Sequence, residues 1–245
     1  MKLEGIHHIT AITADAPQNV DFYTRVLGLR LVKKSVNQDD PTVYHLFYSD
    51  EQGSPGADLT FFDYPGIPVG SAGDGMVHRV VSRVASPEAV DFWEDRLTVE
   101  GTHPRREDGS LRFADPEGLE HELVAVEVPD PPLIADHPEI PAGMALQGFH
   151  AVRAYGSDPS ASRVLLEEGL AFDPIEGGWE ARGEQRGGLY LVDEPPASSP
   201  RPGAGTVHHV AWSTGIEEHE EWGRRARAAG ARATPVIDRY YFKSI

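Results

Sequence analysis

Apolar and polar positions recur along the chain in one unit that is repeated. Residues 5–27, GIHHITAITADAPQNVDFYTRVL, open on an alternating apolar run that predicts a strand, break at Pro17, and continue into a helix. The helix places Val20, Tyr23, Val26 and Leu27 at i, i+3, i+6 and i+7, one buried face. Residues 75–97, GMVHRVVSRVASPEAVDFWEDRL, repeat the arrangement, with Pro87 at the break and Val90–Trp93 matching Val20–Tyr23. Asp15 and Ser86 stand where an N-cap acceptor belongs. A third copy begins at Gly148-Phe149-His150-Ala151-Val152, with a helix near Pro159–Glu168. A fourth begins at Val207-His208-His209-Val210-Ala211, with a helix near Ile216–Ala229. Strand-like runs follow the helices: Leu29–Val36, Val43–Tyr48 and Asp58–Phe62 in copy one, Leu111–Phe113 and His121–Val126 in copy two.

Each copy thus reads β-α-β-β-β. A four-stranded sheet covered by one helix leaves its second face open, so the copies should pair. The expected fold is α+β, with four βαβββ modules paired into two open barrels whose concave interiors suit a small molecule. The modules span about 1–64, 75–128, 145–195 and 205–245. Pro129-Asp130-Pro131-Pro132 opens a linker over 129–144 that makes the best domain boundary. The fourth module is one or two strands shorter than the second and is expected to be incomplete.

Composition narrows the chemistry. The 245 residues carry 22 basic and 39 acidic side chains, a net charge of −17, so nucleic acid and anionic membrane are excluded as natural partners. Four of the basic residues are lysine, a balance that resembles proteins of salt-loving organisms or an ordinary acidic enzyme. The absence of cysteine removes disulfides, thiolate metal sites and thiol nucleophiles. No apolar run approaches a membrane span, and Met1-Lys2-Leu3-Glu4-Gly5 does not open a signal peptide, so a cytoplasmic protein is expected.

The repeat also sorts the eleven histidines. His7, His78, His150 and His208 share one column, which favours a common packing or hydrogen-bonding role. The next column holds His8, Arg79, Ala151 and His209, histidine in the first and fourth copies alone. Side chains alternate along a strand, so the second histidine of each pair should face away from the first. Two imidazoles facing one hollow suit a divalent first-row metal; two unrelated polar groups in a cavity are the alternative.

These residues carry a family resemblance. Gly5-Ile6-His7-His8-Ile9-Thr10, Asp21-Phe22-Tyr23, Tyr44-His45-Leu46-Phe47-Tyr48 and Gly53-Ser54-Pro55-Gly56 resemble the ring-cleaving dioxygenase branch of the vicinal oxygen chelate (glyoxalase/bleomycin-resistance/dioxygenase) superfamily. So do Gly205–Trp212 and Asp238-Arg239-Tyr240-Tyr241-Phe242-Lys243-Ser244-Ile245, the hydroquinone-type enzymes being the most similar subgroup. The resemblance implies a 2-His-1-carboxylate metal site with His8 and His209 as the histidines. It implies Fe(II), with Mn(II) as a substitute, and a dihydroxylated aromatic (hydroquinone or catechol type) plus O2 as substrates. The glutamate has no counterpart and is expected beyond Ile245; Glu122, in Leu119-Glu120-His121-Glu122-Leu123, marks its repeat position and is the less favoured stand-in. Thr10 and Arg239 would contact substrate or bound oxygen, and His7 and His208 would act as acid–base groups at the cavity edge. His45 reads as core or as a group behind the site. A homodimer is allowed. A glyoxalase-like isomerase or lyase, or a non-enzymatic ligand-sequestering protein, are the competing classes.

Overall fold

The computed structural model describes residues 1–239 and 242–245; Tyr240 and Tyr241 of the resemblance motif lie outside the described residues. Copy one supplies β1 (Ile6–Thr13), β2 (Arg30–Val36), β3 (Tyr44–Ser49) and β4 (Asp58–Asp63). Copy two supplies β5 (Val77–Val84), β6 (Arg105–Glu107), β7 (Ser110–Ala114) and β8 (Glu120–Ala125). Copy three supplies β9 (Phe149–Tyr155), β10 (Asp173–Ile175), β11 (Gly178–Arg182) and β12 (Gly187–Asp193). Copy four gives β13 (Val207–Trp212), and a short hairpin follows, β14 (Ile237–Asp238) with β15 (Lys243–Ser244).

The caps expected from sequence form. Asp15 accepts from the Gln18 amide at 3.1 Å and starts α1 (Ala16–Asp21), which continues as a π-helical turn over Phe22–Val26. Ser86 accepts from the Ala89 amide and starts α2 (Pro87–Val99), which buries Ala89, Val90, Trp93 and Leu97 on one face. The third helix departs from expectation. Asp158 caps a 3-10 turn (Pro159–Ser162) that passes into a π turn (Val164–Gly169) instead of a regular α-helix. In the fourth copy a 3-10 turn leads into α3 (His219–Ala228).

Strand order shows which copies associate. One sheet runs β13-β1-β4-β3-β2, joining copy one to copy four; the other runs β10-β11-β12-β9-β5-β8-β7-β6, joining copy two to copy three. Each sheet therefore draws strands from both sides of residues 129–144. The paired copies meet edge to edge through their first strands, antiparallel, in β1·β13 and β5·β9. Among the described residues neither sheet closes on itself, as the open architecture expected from the repeat allows.

Both junctions carry the same irregularities. Ile6 pairs Trp212 and His8 pairs Ala211, which makes His7 an extra residue in its ladder; Thr10 pairs His209 and Ala11 pairs Val207, which makes His208 another. The β5·β9 junction skips His78 and His150 in the same way. The shared histidine column is thus a column of β-bulges, positions that leave the ladder and re-aim a side chain. Close backbone approach fixes the start of the first strand of copies one and four. Gly5, at φ +73°, would place a Cβ 2.4 Å from the Gly187 carbonyl oxygen, and Gly205, at φ +77°, 2.1 Å from that of Glu117.

The main core lies where the two sheets and their helices meet, with Ile9, Tyr23, Leu46, Phe61, Val80, Trp93, Leu111 and Leu123 buried together. Full burial of each large side chain stabilises the fold by roughly 1.5–3 kcal/mol. One polar network crosses it. The Tyr23 hydroxyl donates to Asp115 Oδ2 at 2.9 Å and lies 2.9 Å from His121 Nε2, tying copy one to copy two through a satisfied buried group. Among the described residues no helix is long and apolar enough to cross a membrane.

Candidate metal centre

The five-stranded sheet brings the two ends of the chain together. His8 lies on β1 and His209 on β13, and the Thr10–His209 register sets their rings side by side. His8 Nε2 is 3.1 Å from His209 Nε2. The outer nitrogens are engaged as well: His7 Nδ1 lies 3.0 Å from His8 Nδ1, and His208 Nδ1 lies 2.8 Å from His209 Nδ1. Four imidazoles therefore form a row, His7–His8–His209–His208. Regular alternation would turn His7 and His208 to the opposite face. The bulges instead bring each against its neighbour, which corrects the expectation that the paired rings diverge.

Burial keeps the row neutral. It holds His8 well below the usual imidazole value, helped by neighbouring His7, His209 and His45, and it holds His209 at about 4, helped by His208 and Arg239. His7 and His208 are lowered by burial alone. A neutral imidazole carries one N–H and one lone pair. If His8 and His209 donate their Nδ1–H groups to His7 and His208, both Nε2 lone pairs converge across 3.1 Å. Two bare lone pairs so close repel unless a cation lies between them.

The donor set fits such an ion. Two nitrogens at about 2.1 Å from a metal and about 90° apart are separated by about 3.0 Å, close to the observed spacing. An N–H of each ligand held by a neighbouring group is the usual support for metal-binding histidines. Among the described residues no group of three or more histidines, aspartates or glutamates is able to hold a metal ion, so these two rings have no protein third ligand there. Glu122 is not brought to them. It lies on β8 of the other sheet, 3.2 Å from Arg79 Nη1 and 3.6 Å from Arg112 Nε. In that sheet Val81 pairs Ala151 and Arg79 pairs Arg153, the register that joins Thr10 to His209 and His8 to Ala211 in the first. Arginine and alanine thus occupy the histidine positions, and guanidinium groups neutralise the carboxylate. His78 lies 2.8 Å from Asp193 and stacks on Tyr155, while His150 sits near Arg83, Glu180 and Arg182.

Other groups complete the surroundings. Thr10 Oγ1 is 3.1 Å from His209 Nε2 and 2.7 Å from Thr60 Oγ1, which is 2.8 Å from His45 Nε2. Phe62 packs on His208 and His209, and Phe242 lies edge-on to His8 with 6.2 Å between centroids. Arg239 pairs with Asp39 and reaches Ser244 Oγ at 3.3 Å, near enough to His209 to disfavour its protonation. Thr60, Phe62 and Phe242 were not singled out by sequence reasoning. β4 is buried along nearly its whole length, so no alternation marks the site-facing residues; the polar Thr60 inside that apolar run was the available signal.

Residues 5–123 match the model of the Glyoxalase/Bleomycin resistance protein/Dioxygenase superfamily. A Bacillus subtilis (strain 168) protein named "Putative ring-cleaving dioxygenase MhqA" is 36% identical, the match covering 100% of this chain and 83% of that one. The chlorohydroquinone/hydroquinone 1,2-dioxygenase of Sphingobium indicum is 28% identical over 86% of this chain and 70% of its own. A crystal structure described as a "putative dioxygenase" from Bacillus subtilis superposes with a TM-score of 0.88 at 35% identity, covering 99% of this chain and 80% of that one. The family-model match and 36% identity along the whole of this chain show that it belongs to the Glyoxalase/Bleomycin resistance protein/Dioxygenase superfamily.

Proposed function

We propose that the protein is a metal-dependent dioxygenase that opens the ring of a dihydroxylated aromatic, of hydroquinone or catechol type, with O2. The convergence of His8 and His209 Nε2 at 3.1 Å carries this reading. The names of the relatives support the reaction class, and the neutral donor set supports Fe(II), with Mn(II) as a substitute. A carboxylate from outside the described residues completes the ligand set in this reading.

When bound, the ion would supply Lewis acidity toward a substrate hydroxyl and the redox capacity that reaction with triplet oxygen requires. The chain's own residues do the rest. His8 and His209 hold the ion through Nε2, and His7 and His208 hold the tautomers that expose those atoms. Thr10 offers a hydroxyl oxygen beside His209 to accept a hydrogen bond from a bound hydroxyl group. Phe62 and Phe242 give apolar walls against which an aromatic ring stacks. Arg239 contributes a positive charge at the rim that attracts an anionic ring substituent or a deprotonated diol.

The test is oxygen consumption. Anaerobically Fe(II)-loaded protein mixed with hydroquinone or catechol should take up one O2 per ring and lose the aromatic absorbance. Metal binding without oxygen uptake, or isomerisation of a thiol adduct in its place, would contradict the reading.

A further inference from the structure

Four adjacent strands each contribute one polar side chain to a continuous row: His45 from β3, Thr60 from β4, Thr10 from β1 and His209 from β13. The links are 2.8 Å from His45 Nε2 to Thr60 Oγ1, 2.7 Å from Thr60 to Thr10 Oγ1, and 3.1 Å from Thr10 to His209 Nε2. Thr10 pairs directly with both Thr60 and His209 in the ladders, and His45 reaches Thr60 diagonally. Both threonines are 0% exposed, so bulk water does not decide which way their hydroxyl protons point.

We propose that His45 is a positioning residue that, through Thr60, turns the Thr10 hydroxyl proton away from His209 and so keeps Nε2 of His209 free for a cation. The inference rests on the metal site of the preceding section. A hydroxyl has one proton to donate, so the row has two polarities. If His45 Nε2 donates, Thr60 donates to Thr10, and Thr10 donates into the His209 lone pair that the metal needs. If His45 Nε2 accepts, Thr60 donates to His45, Thr10 donates to Thr60, and the Thr10 oxygen faces the site as an acceptor. The second polarity alone leaves His209 open, and it presents to a bound substrate hydroxyl the acceptor that the mechanism uses.

The ring that sets this polarity is itself fixed. Phe47 and Phe62 flank His45 with centroids 4.0 and 4.5 Å away. Burial, with His209 and His208 adding to it, holds the ring at about 3, so it stays neutral with one free nitrogen throughout the working range. A neutral ring has one nitrogen free to accept, and the second polarity requires that this be Nε2, with the proton on Nδ1.

Metal binding alone tests the proposal. Co(II) affinity is measured on the whole chain and on Thr60→Val, Thr60→Ser, His45→Phe and the Thr60→Val/His45→Phe double variant, with circular dichroism confirming the fold. Thr60→Val, which keeps shape and removes the hydroxyl, should weaken Co(II) binding about tenfold, the lower end of losses seen when the groups supporting a ligand are removed. Thr60→Ser should restore it, His45→Phe should match Thr60→Val, and the double variant should be no worse than either single one. Unchanged affinity in Thr60→Val with normal uptake by the unsubstituted chain would overturn this inference alone, and additive losses would overturn it as a single pathway. Absence of Co(II) uptake by the unsubstituted chain would take down the metal site itself and this inference with it.

Discussion

His8→Ala and His209→Ala should each abolish stoichiometric metal binding, while His150→Ala leaves it largely intact. His8 and His209 are the two rings whose Nε2 atoms converge, so either change leaves a single imidazole. Loss of a group that merely supports a ligand weakens metal binding by about 10–100-fold, and loss of a direct ligand costs more. His7→Ala and His208→Ala should fall between the extremes, because they touch the outer nitrogens of the ligands. His150 shares the bulge column with both but lies on the eight-stranded sheet among Arg83, Glu180 and Arg182. Equilibrium dialysis with Mn(II) or Co(II), followed by metal analysis, reads the stoichiometry. Equal loss in His8→Ala, His209→Ala and His150→Ala would mean that the adjacent columns were wrongly distinguished.

Acid should weaken the metal-free protein by several kcal/mol. Burial holds His45 and His121 at about 3 and His209 at about 4, whereas an unfolded imidazole takes up a proton near ~6.5. Below that point the unfolded chain binds more protons, so stability is greatest above it and falls as pH drops toward 4. At pH 4.5 each of the three rings costs roughly 2–3 kcal/mol, and His8, also lowered, adds to the loss. Three carboxyls act in the opposite sense, Asp58, Asp115 and, by a smaller rise from burial, Asp63. Burial raises Asp58 to about 7 and Asp115 to about 6, so the folded chain takes up their protons first and gains about 5 kcal/mol in all over the same interval. The net loss is about 3 kcal/mol or more. Urea unfolding of chelator-treated protein at pH 7.5 and pH 4.5 measures it, in about 0.5 M salt to screen the repulsion of a −17 chain. Equal or greater stability at pH 4.5 would show that the imidazoles are not held neutral by the fold.

Much of the local structure was legible in the sequence because local physics decides it. The Asp15 and Ser86 caps, the apolar face of α2 and the strands of copy one all follow from spacing and cap chemistry. The choice of partner copy was legible only through the second histidine column, in which His8 and His209 mark copies one and four. Joining one to four and two to three depends on which first-strand edges meet, and apart from that column the apolar pattern of the four first strands is alike. The bulges were hidden for a related reason. An extra residue is defined against its partner strand, so His7 and His208 read as outward-facing until β1 and β13 are paired. The same pairing made the His8 and His209 columns meaningful, since Arg79 and Ala151 occupy their places at the other junction. His45 was ambiguous because its site-directed contact runs through Thr60, inside a strand with almost no exposed face.

The shared ion is tested most directly by anomalous diffraction at the metal absorption edge from crystals of the Mn(II)- or Fe(II)-loaded protein. The account predicts a single strong peak within about 2.2 Å of Nε2 of both His8 and His209. A peak at another position, or an ordered pair of imidazoles joined only by a hydrogen bond under saturating metal, would contradict it.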